Sequence, residues 1–91
     1  MESNKRWVAE TINNGKTEYI SFIDIVGGKL KVELTENVRK AVKYKAQFRA
    51  DDDSQYVNQM LRSSHGGKAL KEYLGNREFH SHLLSPEEAT A

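Results

Sequence analysis

His80-Ser81-His82, with His65 farther upstream, are the residues of this 91-residue chain whose types point most directly to metal chemistry. Neutral imidazoles bind zinc-like cations well, but a structural site needs four ligands and a catalytic one needs three plus water. An i, i+2 histidine pair without a carboxylate or cysteine at a metal-binding spacing supplies neither. Asp51, Asp52 and Asp53 lack the glycine and terminal glutamate of a calcium loop, so they read as a solvated helix start. Ser63, Ser64 and His65 adjoin with no acid partner or oxyanion device in view. Gly27-Gly28-Lys29 lacks the remaining elements of a phosphate-binding loop. The expectation is a non-enzyme that uses no metal and no cofactor.

Composition narrows the class further. Hydrophobic residues make up 37% and charged residues 30%, which suits a soluble globular chain. There is no cysteine, which excludes disulfides and thiolate metal sites and fits a cytoplasmic protein. The first ten residues lack the apolar core of a signal peptide, and no run approaches a membrane span. The expectation is a cytoplasmic protein of bacterial or phage type with no membrane contact. A chain this small buries only about 60–65% of its unfolded surface, so a partner chain would help its limited core.

Net charge is +1, but its distribution is uneven. Residues 29–49 hold seven basic groups against Glu33 and Glu36, a balance of +5, whereas the segments before and after are net acidic. Such a segment is either a phosphate-facing surface or a solvated face.

These residues must be positioned by strands and helices. Asn14-Gly15 and Gly27-Gly28 are two-residue hairpin signals, because each position tolerates positive φ. A two-residue loop at Gly27-Gly28 pairs Ile25 with Leu30, Ile23 with Val32, and Asp24 with Lys31. An α+β fold is therefore expected: a three-stranded antiparallel meander at about 6–12, 17–26 and 29–34, followed by two to three helices. Val8, Ile12 and Tyr19 join Ile23 and Ile25 on the inner face in that register. Trp7, Ile20 and Phe22 fall together on the outer face, where an aromatic patch calls for a covering helix or a docked protein. Helices are expected at 36–49, 54–64 and 68–74, the second with Tyr56, Val57, Met60 and Leu61 buried. "NREFHSHLL" reads as a last turn or strand anchored by Phe79 and Leu83. Residues 6–84 form the single domain, between a disordered N-terminus (1–5) and a disordered tail (85–91).

Strand "KLKVEL", cap Thr35, helix "ENVRKAVKYKAQFR" and helix "SQYVNQMLRSS" together resemble the ribbon-helix-helix family of Arc/MetJ-type repressors and antitoxins. The resemblance covers residues 29–64 and rests on apolar positions. It implies a homodimer whose paired strands enter a DNA groove, with Lys29, Lys31 and Glu33 facing the bases. Under this reading Lys40, Lys43 and Arg49 complete the nucleic-acid surface. The acidic run at 51–53 departs from the family, since carboxylates repel phosphate. So does the hairpin at Gly27-Gly28, which already occupies one side of the strand.

Two functions follow from different classes. One is a small non-enzymatic protein-interaction module of phage or plasmid accessory or inhibitor type, homodimeric, with Trp7, Ile20 and Phe22 at its interface. The other is a homodimeric DNA-binding regulator or antitoxin that contacts duplex DNA through the basic segment.

Overall fold

The computed structural model describes residues 5–63, 68–75 and 77–89 of the chain. It is an α+β domain with a four-stranded antiparallel sheet and three helices. Strands β1 (Trp7–Asn13), β2 (Lys16–Val26), β3 (Lys29–Thr35) and β4 (His80–Leu83) lie in the order β3-β2-β1-β4. Helices α1 (Gln47–Arg62), α2 (Lys68–Leu74) and α3 (Pro86–Ala89) complete it, with a 3-10 turn at Val38–Lys40.

Turn chemistry sets the two hairpins. Asn14, Gly15, Gly27 and Gly28 all have positive φ, between 52° and 80°, the backbone that a right-twisted two-residue hairpin requires. Asn13 therefore faces Lys16, and Val26 faces Lys29, with Asp24 opposite Lys31 and Ile25 opposite Leu30. The expected sheet of three strands is corrected to four, because the "HSHL" segment pairs antiparallel with the other side of β1.

A bulge corrects the expected faces. Ser21 is an extra residue between the pairs Ile20–Leu34 and Phe22–Glu33, and its hydroxyl donates to the Glu33 carbonyl. One inserted residue reverses the alternation of side chains along a strand. Ile20 is thus turned to the face of Ile23, Val32 and Leu34. There it joins Ala9, Val57, Leu74 and Phe79 in the main core. Val8 and Tyr19 go to the opposite face, where Ala41, Leu84, Val38 and Ala89 form a second cluster. The expected outer patch of Trp7, Ile20 and Phe22 therefore does not exist as one surface. Ile20 is fully buried, Trp7 is half-buried, and Phe22 lies on the other side of the sheet.

The helix expected at 36–49 does not form. Asn37 caps the 3-10 turn by accepting from the Arg39 N–H, and Ala41 is already extended. The chain then runs beside the sheet. Val42 N–H donates to the Ile20 carbonyl (2.9 Å), and Trp7 and Tyr44 exchange two backbone hydrogen bonds (2.8 Å each). Open strand edges thus satisfy the backbone groups that a helix would have paired internally. The β-branched Val42 resists this extension least.

Helix α1 begins at Gln47 and absorbs Asp51, Asp52 and Asp53, which were expected to start a helix at 54. Ala50, Ser54 and Val57 are its buried stripe, at spacings of four and three residues. Tyr56, expected inward, is exposed. The strand–helix–helix order expected over 29–64 is therefore replaced by strand, 3-10 turn, extended segment and one helix. The third helix lies at 68–74 as expected, followed by Gly75 at positive φ.

The C-terminal segment carries a further correction. Ser85 and Glu88 cap α3 reciprocally: the Ser85 N–H donates to the Glu88 carboxylate and the Glu88 N–H to Ser85 Oγ, each at 3.2 Å. Leu84 is buried and Ala89 packs on the second cluster, so residues 84–89 belong to the domain. Of the expected N-terminal disordered residues, 1–4 lie outside the described residues, as do Ser64, His65, Gly66 and Gly67.

Candidate interaction surface

The sheet narrows to two strands at one end. β1 pairs only with residues 16–19 of β2, so residues 22–26 and 29–33 form an arm whose only sheet partner is each other. A two-stranded ribbon is marginal in water unless something covers its apolar face. Here the cover is partial. Val32 is buried and Leu30 is packed against the core beside Leu70 of α2. At the tip, Ile25 remains 57% exposed and Val26 54%.

Beside the arm, Leu30, Val32, Lys31, Glu33, Leu70 and Tyr73 line a groove of about 280 Å³ along the outer edge of β3. Tyr73 is 56% exposed at its rim. Among the described residues, no backbone segment other than β2 hydrogen-bonds to Lys29–Glu33. An edge strand with unpaired N–H and C=O groups is a template for another strand. The arm's other face carries Phe22, with Lys31 Nζ 6.0 Å from its ring centroid.

The six residues expected to meet nucleic acid are dispersed. Lys29, Lys31 and Glu33 are exposed along β3, and Lys40 is exposed in the 3-10 turn. Lys43 is half-buried, and its ammonium donates to the carbonyls of Val38 and Arg39 at 2.9 and 3.3 Å. Arg49 lies in the first turn of α1 with its guanidinium over the Phe48 ring. The groups concentrated in sequence thus belong to a strand, a turn and a helix.

The histidine pair does acquire a carboxylate. On the face opposite α1, His80 Nε2 is 2.9 Å and His82 Nδ1 3.8 Å from the same oxygen of buried Glu10. Register explains it, because Glu10 pairs with His80 and Val8 with His82. Glu10 and Glu88 also help, after partial burial, to hold the Tyr19 phenol above its ordinary pKa. Hydrogen bonds from Ser85 lower the pKa of Glu88. Even so, among the described residues no group of three or more His, Asp or Glu side chains is arranged to hold a metal ion. The trio clamps β4 to β1.

Other polar contacts are structural in the same way. Arg77 Nε and Nη2 both donate to one oxygen of Glu18, at 3.1 and 3.0 Å, and its Nη1 donates to the Leu74 carbonyl. The Tyr44 hydroxyl donates to Asp53, tying the extended segment to α1; burial, then this bond and the Asp53 charge, raise the phenol's pKa. A second groove of about 330 Å³ is lined by Asp51, Ser54, Asn58, Arg62, Glu78 and His80, among others. Its mixed charges select no single ligand class.

Sequence reasoning missed Ile25, Val26 and Tyr73 as surface residues. The signal for the exposed tip lies in unequal strand lengths: β1 has 7 residues and β2 has 11, so β2 runs on past its neighbour to the second turn. Among the described residues, no helix is long and apolar enough to cross a membrane. Comparison with protein-family models, curated proteins and solved structures finds no match to this chain.

Proposed function

We propose that the chain is a small non-enzymatic protein-interaction module that docks its partner on the β2–β3 arm. The observation that carries this reading is the coincidence of an uncovered aliphatic tip, an open strand edge and an adjacent groove in one place. A partner strand laid along β3 satisfies the free backbone groups, and its side chains cover Ile25 and Tyr73. Backbone pairing supplies affinity in such an arrangement, and the alternate side-chain positions supply specificity. An accessory or inhibitor role fits a surface of this kind.

DNA binding by the same arm is the second reading, favoured by the exposed Lys29 and Lys31 on β3. Glu33 beside them, the internal bonds of Lys43 and the acidic second turn of α1 weigh against it. A salt titration on random-sequence duplex DNA separates the two. The interaction module gives no salt-dependent affinity. Several phosphate contacts give a steep fall, with a log–log slope of about −0.9 per phosphate neutralised. A steep slope that flattens in Lys29→Ala and Lys31→Ala would overturn the protein-docking reading.

A further inference from the structure

The outer edge of β3 is self-complementary. Leu30-Lys31-Val32-Glu33-Leu34 reads apolar, basic, apolar, acidic, apolar, so reversing its direction exchanges the charges and keeps the apolar positions. We propose that β3 pairs antiparallel with β3 of a second copy of the chain about Val32. Lys31 of each copy then lies opposite Glu33 of the other, joining two sheets into one of eight strands. The inference rests on the arm being an interaction surface and adds the identity of its occupant.

Register selects this arrangement. With Val32 opposite Val32, Leu30 meets Leu34 twice on the face toward α1 and α2. Lys31 meets Glu33 twice on the other face, and Lys29 meets Thr35. Sliding the second strand by one residue sets apolar side chains against charged ones. Sliding by two residues one way places Lys31 opposite Lys31, and the other way places Glu33 opposite Glu33. Like charges directly opposite each other oppose pairing, whereas unlike charges favour it. Only the Val32-centred register keeps the apolar residues together and leaves no like-charged pair.

The surroundings admit the added strand. The outer edge of β3 has no backbone partner among the described residues, and the groove beside it is walled by Leu70 and Tyr73. Both walls and the largely exposed Tyr73 ring are covered when the second strand is in place. The contact is isologous, so it closes as a dimer.

The test is sedimentation of the full chain across the micromolar range, with two charge reversals analysed singly and mixed. Wild type is expected to show a monomer–dimer equilibrium. Lys31→Glu sets two carboxylates against each other in both cross-chain pairs, and Glu33→Lys sets two ammonium groups against each other in the same places. Each is expected to weaken the dimer about tenfold or more. Mixed together, the two variants form a heterodimer in which the two carboxylates of one chain lie opposite the two ammonium groups of the other, so both cross-chain pairs are unlike and the dimer is expected to be rescued. Rescue is also expected of the double variant, Lys31→Glu with Glu33→Lys in one chain. It restores both unlike pairs with their signs exchanged, so a homodimer close in strength to wild type is expected. Because Lys31 also faces Asp24 within its own chain, Glu33→Lys is the single variant that leaves the arm's internal pair intact. A dimer unaffected by Glu33→Lys, or a double variant that stays monomeric, overturns the proposal. A monomeric wild type whose arm tip still cross-links to a different protein overturns self-pairing alone. A monomer whose tip captures nothing overturns the interaction reading as well.

Discussion

Ile20→Ala should destabilise the domain by about 2–5 kcal/mol, the range for emptying a buried isoleucine site. Ile20 has no exposed surface and is among the largest fully buried side chains. It shares one buried cluster with Ala9, Val32, Val57, Leu74 and Phe79, so its removal opens a cavity in the core between the sheet and the helices. Small domains are stable by about 5–15 kcal/mol, so this one change removes a large share. Ile25 is the internal comparison, on the same strand but mostly exposed. Ile25→Ala should change stability by no more than about 0.5 kcal/mol. Urea denaturation of both variants reads the difference directly. Equal costs would mean that Ser21 is not bulged and that Ile20 does not face the helices.

Asn58→Ala should cost about 2–4 kcal/mol, unusually much for one amide side chain. Asn58 accepts from the Phe79 N–H at 2.8 Å and donates to the Phe79 carbonyl at 2.9 Å, as a strand neighbour would. Phe79 is only 2% exposed, so alanine strands two buried backbone groups without partners. Each such group costs about 1–3 kcal/mol. The bond pair also holds α1 to the entry of β4, so the amides of 79–83 should exchange faster with solvent in the variant. Asn58→Asp retains the acceptor but sets a carboxylate against the Phe79 carbonyl and should not restore stability. A loss below about 0.5 kcal/mol with unchanged exchange would show that the pairing is not what seats β4.

The reach of sequence reasoning differs sharply between these elements. Both hairpins were legible because Asn-Gly and Gly-Gly encode backbone conformation locally, and the Asp24–Lys31 and Ile25–Leu30 pairs followed from loop length alone. The bulge was not. Ser21 looks like any polar strand residue, and its insertion shows only when Leu34 is seen opposite Ile20. That one residue moved Ile20 from an expected interface into the core and separated it from Phe22. The segment at 36–46 carried a short helical stripe, Val38, Ala41 and Val42, but tertiary pairing with Ile20 and Trp7 overrode it. Propensity is a weak prior where an open strand edge offers the same hydrogen bonds. α3 was legible and was passed over: Ser85-Pro86-Glu87-Glu88 spells a capping box with proline in the first helical position. Of the surface, the alternation on β3 was visible from the start. The exposure of the arm's tip follows in part from the unequal strand lengths, already present in the expected bounds, and in part from where α2 packs, which no local pattern encodes.

The most direct measurement on the docking arm is site-specific photo-cross-linking in cells. One form of the chain carries the photoreactive residue at Val26 on the tip, and a control carries it at Tyr56 on the outer side of α1. The protein-docking account predicts discrete protein adducts from position 26, either a second copy of the chain or another protein, and none of the same adducts from position 56. Nucleic-acid adducts from position 26, identical protein adducts from both positions, or no adduct from the tip would contradict it.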